Sequence, residues 1–246
     1  MRQRKLIDLD ERMEDLKDYL DLDGTQNKGK WRSVFGEDAH EIFLEIGCGK
    51  GKFMCERAEA FPRQCIIGLE GQASVIVRAA EKIRQRELAR DAGRDDTSDA
   101  GQDGTSDAGP NIPNAYLISN YMRDIHDFFE NGELDGIFLN FSDPWPKARH
   151  AKRRLTYRDN LKGYMDVIKE GGFIEFKTDN DGLFQFTLEE IEALGYNIEK
   201  ISYDLAGTDF ESANFRTEYE EKFMKKGIKI KFVRIEKRPK DIEKNS

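Results

Sequence analysis

Short apolar stretches alternate along the chain with segments whose apolar residues recur at helical spacing. The apolar stretches predict β-strands at 41–47, 64–70, 115–120, 136–141, 173–178, 198–205 and 229–237. The helical spacing predicts helices at 52–60, 74–88, 125–131, 157–169 and 182–194. This alternation predicts an α/β fold with a mostly parallel sheet and helices on both faces. The last two strands follow each other directly, which predicts an antiparallel pair at one edge of the sheet.

Two segments differ from this pattern. A polar, amphipathic stretch over 6–22 predicts an N-terminal arm or helix, so residues 1–40 are interpreted as an arm that precedes a domain over 41–246. Residues 91–110 contain the tandem repeat DDTSDAGQ-DGTSDAGP and no large apolar residue. Six aspartates and one arginine give this segment a charge of −5. It is therefore predicted to be a disordered surface insertion.

The composition excludes several classes of protein. With 246 residues the chain can bury a core, and it contains no run of the ~18–20 apolar residues that a membrane helix needs. No secretory signal opens the sequence, and three cysteines are too few for a disulfide scaffold. These features predict a cytoplasmic protein with no membrane partner.

The charge is unevenly distributed. A net charge of −8 by itself argues against a nucleic-acid partner. However, residues 147–154 (KARHAKRR) carry +5 with no acid and directly follow a proline-rich turn that contains Trp145. The run therefore predicts a loop that binds phosphate groups.

The first predicted strand leads into a glycine-rich loop with Gly47, Gly49 and Gly51, and Glu45 precedes it. Glycines allow positive φ angles and a close approach of the ligand to the backbone. The spacing is not that of a loop for a pyrophosphate, and an acid at position 45 repels phosphate but suits an amine. These are the requirements of S-adenosylmethionine, and no His or Cys has metal-ligand spacing to Cys48.

Polar residues also end the next two predicted strands. Glu70 is placed to accept hydrogen bonds from a ribose diol, and Asn120 is placed to reach an adenine edge. Because ligands of open α/β sheets bind at the carboxyl ends of strands, both residues are predicted to bind the cofactor.

The fourth predicted strand ends in Asn140-Phe141-Ser142-Asp143-Pro144-Trp145-Pro146. Pro144 restricts the backbone next to the Asp143 carboxylate, and Trp145 offers a flat face for stacking a base. Asp179, which follows the fifth strand, is predicted to lie at the same edge of the sheet. The chemistry is therefore predicted at Asp143 and Asp179.

The segments EIGCGKGKF, NFSDPWPKARHAKRRLTY, FKTDNDGLF and TEYEEKF occur in an order and spacing that resemble the bacterial single-chain tRNA (guanine-N7-)-methyltransferase family. The resemblance covers roughly residues 28–236, except for the repeat. It implies a Rossmann-like class I methyltransferase fold. It also implies transfer of a methyl group from S-adenosylmethionine to N7 of a guanine at variable-loop position 46 of tRNA.

The resemblance also implies roles for individual residues. Cofactor-binding positions are Glu45, Glu70, Asn120 and Asp143, and Asp143 is also the catalytic candidate. Substrate positions are Lys147, Asp179, Thr217, Glu218, Tyr219 and Glu220. The RNA backbone is expected to contact Arg149, Lys152, Arg153 and Arg154. In one departure from the family pattern, Asn120 is followed by Tyr121 rather than by alanine.

Two other functions agree with the same residues. One is methylation of an exocyclic base amine, because such enzymes carry a similar Asn/Asp-Pro-Pro-aromatic segment. The other is an RNA-binding protein that keeps a cofactor pocket without catalysis. The sequence is compatible with a monomer or a homodimer.

Overall fold

The computed structural model describes residues 8–36, 41–95, 114–211 and 214–238, with only the backbone of 90–95. The chain divides into two compact units, Met1–Met122 and Arg123–Ser246. This boundary differs from the division at residue 40 that the sequence predicts. In the described part of the chain, no helix is both long and apolar enough to cross a membrane.

The first unit contains a parallel sheet with the strand order β1-β4-β3-β2. Its strands are β1 (Leu20–Asp21), β2 (Glu41–Ile46), β3 (Gln64–Leu69) and β4 (Ala115–Ile118). Its helices are α1 (Leu9–Glu14), α2 (Trp31–Phe35), α3 (Lys52–Ala60) and α4 (Ala73–Asp95), with a 3-10 turn at Thr25–Asn27. Consecutive residues of β2 from Ile42 to Leu44 are each at most 2% exposed. The strand is therefore covered on both faces, as parallel strands require.

Residues 8–36 belong to the first unit and pack against the rest of it. Arg12 pairs with Glu81 of α4, and Tyr19 donates a hydrogen bond to Glu87. The two residues of β1 extend the sheet beside β4. Trp31 is fully buried, with its ring centroid 5.8 Å from that of Tyr116. Within the amphipathic stretch, Leu16 and Leu20 are 1% and 4% exposed and are part of this unit's core, whereas Leu22 is exposed.

Helix α4 continues through residue 95, which is farther than the sequence predicts. The prediction of disorder is therefore wrong for residues 91–95, and residues 96–110 of the insertion lie outside the described residues. Adding a residue to an existing helix needs no new nucleus, and this stretch begins with Asp-Ala. Local composition does not show where such a helix ends.

The second unit has the strand order β5-β6-β8-β7. Its strands are β5 (Leu134–Asn140), β6 (Ile168–Thr178), β7 (Asn197–Ser202) and β8 (Lys231–Glu236). Its helices are α5 (Arg158–Val167), α6 (Asp181–Leu194) and α7 (Glu218–Met224), with 3-10 turns at Ile125–Asp127 and Ala148–Arg153. Strands β5 and β6 are parallel, whereas β8 is antiparallel to both of its neighbours, so the predicted antiparallel strands are confirmed.

One predicted helix of the second unit is wrong, and one observed helix has no prediction. The helix predicted over 125–131 is only the 3-10 turn at Ile125–Asp127, because Phe128 and Phe129 are both buried and Gly132 has a positive φ of 71°. Helix α7 was not predicted. It lies within a polar connection between the last two strands, where no long apolar face marks it.

Candidate active site

The glycine loop connects β2 to α3, and its three glycines all have positive φ. A Cβ atom added to Gly47 or Gly49 would meet no atom within 4 Å, so open space lies beside both residues. A Cβ on Gly51 would lie 2.8 Å from Cβ of Ala79 in α4. Gly47 and Gly49 therefore form an open cradle, whereas Gly51 lets α4 pack closely.

The two predicted acids of this unit differ in exposure. Glu45 is 1% exposed, and Glu70 is half-buried with Oε1 accepting a hydrogen bond from the Gln72 N–H at 2.9 Å. The Gly47 N–H donates to the Leu69 carbonyl at 2.7 Å, which brings the glycine loop beside the residue that precedes Glu70. An open glycine cradle next to two carboxylates fits a ligand with a cationic amine and a diol, and not a phosphate.

Asn120 is already engaged in local hydrogen bonds. Its Nδ2 donates to the Asp23 carbonyl at 3.3 Å, and its Oδ1 accepts from the Tyr121 N–H at 2.8 Å. The Tyr121 ring is 62% exposed, yet a Cβ on Gly71 would lie 2.3 Å from two of its ring carbons. The exposed group beside Glu70 is thus the Tyr121 ring, which is not among the residues predicted to bind the cofactor.

All three cysteines have free, buried thiols. Burial, followed by the nearby Glu45 carboxylate, raises the pKa of Cys48 well above its ordinary value. Burial also raises the pKa of Cys55 to about 11. A thiol with a raised pKa is a poor nucleophile, so Cys48 serves as a small packed residue under the glycine loop. Among the described residues, no group of three or more His, Cys, Asp or Glu is arranged to hold a metal ion.

The loop after β5 has an unusual backbone. Phe141 has φ of 54° and Trp145 has φ of 40°, although bulky residues rarely adopt positive φ. The Phe141 N–H donates to the Lys177 carbonyl of β6 at 2.9 Å. Asp143 lies between the two strained residues and is exposed. Such strain persists only where the surroundings enforce it, and it concentrates at functional sites.

The half-buried Arg154 side chain donates hydrogen bonds to backbone carbonyls of this loop. Its Nε donates to the Pro144 carbonyl and its Nη2 to the Trp145 carbonyl, both at 3.0 Å. Its guanidinium also lies 4.2 Å from the centroid of the Phe186 ring. Arg154 is predicted from its sequence to contact the RNA backbone, but its Nε and Nη2 donate hydrogen bonds within the protein.

The other basic residues of the run are exposed at the surface. Lys147, Arg149, Lys152 and Arg153 all belong to this exposed set. The Arg153 guanidinium lies 5.0 Å from the centroid of the Trp145 ring, and His150 meets the same ring edge-on at 5.7 Å. Trp145 therefore has a cation over its ring and a basic surface beside it.

Lys177 connects three of the sequence motifs. It is 2% exposed, and its Nζ donates to Asn214 Oδ1, the Phe215 carbonyl and Glu220 Oε2 at 2.9, 3.0 and 2.9 Å. Its own carbonyl accepts from Phe141, as described above. The loop after β5, which bonds to the Lys177 carbonyl, and the start of α7, which bonds to its Nζ, are thus joined to the end of β6 at one residue that is not among the predicted site residues.

The Thr217–Glu220 block forms the N-terminus of α7. The Glu220 N–H donates to Thr217 Oγ1, and the Thr217 N–H is directed at Glu220 Oε2, which is a capping box. Thr217 and Glu220, both predicted to bind substrate, therefore have structural partners within the protein. Glu218 is exposed.

Tyr219 and Asp179 come together in the second unit. The Tyr219 hydroxyl is directed at Asp179 Oδ2 at 3.5 Å, and its ring stacks on Phe223 with centroids 4.1 Å apart. Burial, followed by Asp179, raises the pKa of Tyr219. The Phe141 ring is 5.1 Å from that of Tyr219, so an exposed aromatic ring and a carboxylate lie beside the strained loop.

Comparison with known proteins gives a match over most of the chain. A family model described as "Putative methyltransferase" matches residues 39–233. The match includes the glycine loop, the loop after β5 and the start of α7.

Solved structures resemble the chain in fold. An antibiotic-related methyltransferase superposes with a TM-score of 0.53 at 16% identity, covering 87% of this chain and 97% of that one. The 16S rRNA methyltransferase KamB gives a TM-score of 0.53 at 12% identity, with coverages of 84% and 94%. The aminoglycoside resistance methyltransferase NpmB1 gives 0.51 at 17% identity, with coverages of 84% and 93%. The predicted Rossmann-like class I methyltransferase fold is confirmed.

Proposed function

Because the chain belongs to the tRNA (guanine-N7-)-methyltransferase family, whose cofactor is S-adenosylmethionine, we propose that it methylates N7 of a guanine at variable-loop position 46 of tRNA. The observation that carries the proposal is the loop after β5. There an exposed carboxylate, Asp143, lies between two residues with strained backbone, and the exposed basic residues Arg149 and Lys152 follow a few positions later in the chain.

In this proposal the first unit binds the cofactor. Gly47 and Gly49 provide the open cradle, Glu45 supplies a buried negative charge for a cationic ligand, and Glu70 accepts hydrogen bonds from the ribose. S-adenosylmethionine supplies a methyl group on a positively charged sulfur. Gly51 and Asn120 support this site through packing and local hydrogen bonds.

The reaction needs little acid–base chemistry. Guanine N7 has an in-plane lone pair, so it attacks without losing a proton. One N–C bond forms, one C–S bond breaks, and the imidazole ring of guanine gains a positive charge. A carboxylate beside that ring stabilises the charge as it develops. Asp143 and Asp179 are proposed for this role, and either carboxylate can also accept hydrogen bonds from guanine N1–H and N2–H₂.

The substrate surface is proposed to consist of exposed groups of the second unit. Lys147 is assigned to guanine O6 or to a phosphate, and Tyr219 and Glu218 lie on the exposed start of α7. Arg149, Lys152 and Arg153 are assigned to the tRNA backbone. Thr217 and Glu220 are assigned to positioning, because their polar groups bond within the protein. Cytoplasmic localisation agrees with three free cysteines.

The proposal is tested by mass spectrometry of nucleosides after incubation with methyl-labelled cofactor. We expect labelled 7-methylguanosine from tRNA transcripts. We expect no label at this site in a transcript whose guanine at position 46 is replaced by 7-deazaguanine, which lacks N7 but keeps its shape. Labelled exocyclic amines would contradict the proposal and support the alternative enzyme.

Two controls separate the remaining possibilities. Small ribosomal subunits serve as a second substrate, because a solved structure with the same fold is a 16S rRNA methyltransferase. Label in rRNA but not in tRNA would contradict the proposal that tRNA is the substrate. Cofactor and tRNA binding without any methylated product would support the non-catalytic RNA-binding protein.

A further inference from the structure

The basic run 147–154 contains side chains with different surroundings. Arg149 and Lys152 are exposed, whereas Arg154 is half-buried. Arg154 is held through its backbone as well, since its carbonyl accepts from Asn160 Nδ2 at 3.0 Å and its N–H donates to the Ala151 carbonyl at 3.0 Å. Its position is therefore fixed at both the backbone and the guanidinium.

The guanidinium of Arg154 bonds to consecutive carbonyls of the strained loop. These are the carbonyls of Pro144 and Trp145, each 3.0 Å from one nitrogen of the fork. They directly follow Asp143, and Trp145 has the positive φ of 40°. A planar fork with two parallel donors fixes the direction of both acceptors, which a single ammonium group cannot do.

The fork is itself positioned by an aromatic ring. The Phe186 ring of α6 lies 4.2 Å from the guanidinium carbon. Packing of a planar cation against an aromatic face restricts its orientation. Helix α6 thereby restricts the orientation of the Arg154 guanidinium. The guanidinium in turn fixes the directions of the Pro144 and Trp145 carbonyls in the loop.

We propose that Arg154 is a positioning residue that holds Asp143 in its reactive orientation and makes no contact with tRNA. This inference rests on the proposed function, because it concerns the loop assigned there to the reaction. It changes the role of Arg154 from phosphate binding to organisation of the loop. The misplacement of a reacting group by about 1 Å costs about 10²-fold in rate, so loss of the fork should appear in kcat.

The main test compares Arg154→Ala with Arg149→Ala. We expect Arg154→Ala to lower kcat by about 10²-fold while the Kd for tRNA and its salt dependence stay near wild type. For Arg149→Ala we expect the opposite pattern, in which the main defect is weaker tRNA binding with a salt slope smaller by about 1. If Arg154→Ala instead reproduces the Arg149→Ala pattern, Arg154 binds the RNA backbone and the proposal is wrong.

Conservative variants and rescue test the geometry of the fork. Arg154→Lys keeps the charge but bonds to one carbonyl at a time, so we expect it to recover only part of kcat. Added guanidinium at low millimolar concentration should raise the kcat of Arg154→Ala and not that of Arg149→Ala. Full activity in Arg154→Lys would show that charge alone is sufficient, and this would overturn the proposal.

Tryptophan fluorescence gives a readout that does not depend on activity. The chain has two tryptophans, and Trp31 is fully buried, so quenching by acrylamide reports Trp145. We expect stronger quenching in Arg154→Ala than in wild type, and an unchanged signal in Arg149→Ala. Unchanged quenching in Arg154→Ala would contradict the positioning role. If the wild type methylates no guanine but quenching differs between the variants as expected, the proposed function is wrong. The conclusion that Arg154 positions the loop would still hold.

Discussion

The ammonium of Lys177 lies 2.9 Å from Oε2 of Glu220, and their side chains are only 3% and 1% exposed. The pair joins the end of β6 to the start of α7, across 43 residues of sequence. A buried charge that loses its partner keeps the free-energy cost of its desolvation without the compensating ion pair. Burial of Lys177 and burial of Glu220 are therefore each stable only in the presence of the other. The position of the exposed Tyr219, between Thr217 and Glu220, depends on this pair.

Removing one partner should destabilise the protein strongly. We expect Lys177→Met to lower the free energy of unfolding by about 3–5 kcal/mol, because Glu220 stays buried without its cation. Urea unfolding followed by circular dichroism measures the change. The double variant Lys177→Met/Glu220→Gln removes both charges and should recover part of the loss. Wild-type stability in Lys177→Met would show that the pair does not hold α7.

Two glycines of the same loop should respond differently to alanine. Gly51→Ala should destabilise the fold, because its Cβ would lie 2.8 Å from Cβ of Ala79, and overpacking costs about 1–3 kcal/mol. Gly49→Ala has room for its Cβ, so it should cost only the positive-φ strain of about 1–2 kcal/mol.

For cofactor binding, Gly49→Ala should have the larger effect and Gly51→Ala the smaller one, which is the reverse of their effects on stability. A methyl group on Gly49 projects into the open cradle, so Gly49→Ala should weaken S-adenosylmethionine binding in calorimetry more than Gly51→Ala does in the folded protein. Equal affinity in Gly49→Ala and wild type would place the cofactor elsewhere.

The contact between Gly71 and Tyr121 gives a double-mutant test. Gly71→Ala should displace the exposed Tyr121 ring, since the three atoms nearest to the added Cβ, at 2.3 to 2.6 Å, all belong to that ring. If the ring borders the cofactor site beside Glu70, Tyr121→Ala and Gly71→Ala should weaken cofactor binding by a similar factor. Gly71→Ala should then have no further effect in the Tyr121→Ala background. Additive losses would mean that Gly71 acts independently of the ring.

The ion pair between Arg158 and Glu190 predicts a pH dependence of stability. Hydrogen bonds from Arg158 hold the pKa of Glu190, which is 4% exposed, below its ordinary value of 4.5. A lowered pKa in the folded state stabilises the protein above the unfolded value, and this stabilisation is lost as the pH falls through the folded value. The stability difference between wild type and Glu190→Gln should therefore be constant near neutrality and shrink below pH 4.5. A difference that is independent of pH would contradict this role.

The sequence predicts those parts of the molecule that depend on local patterns. Helix α3 has the predicted bounds because a glycine loop precedes it and a proline follows Phe61 closely. Strands β2 and β3 differ from their predicted ends by one residue, because consecutive buried residues mark them. The capping-box pattern from Thr217 to Glu220 was also available as a sign of α7, but no apolar face supports it.

The contacts that organise the second unit depend on distant residues. Nothing adjacent to Lys177 in the sequence indicates that it binds Glu220. A run of basic residues likewise predicts positive charge but not where each side chain points. Arg154 and Arg149 are therefore equivalent in the sequence, and only the structure shows that Arg154 bonds to the carbonyls of Pro144 and Trp145. Side-chain direction is a property of the folded loop, and it distinguishes Arg154, whose guanidinium donates within the protein, from Arg149, which is exposed.

The positive φ angles of Phe141 and Trp145 have a consequence for directed evolution. Each costs about 1–3 kcal/mol, and glycine would adopt the same backbone without that cost. Phe141 packs against the buried cluster of Leu205, Ile230 and Phe232, and loss of that packing outweighs the strain that glycine would relieve. Selection for thermal resistance alone should therefore enrich glycine at 145 but not at 141, whereas selection for turnover should retain both aromatic side chains.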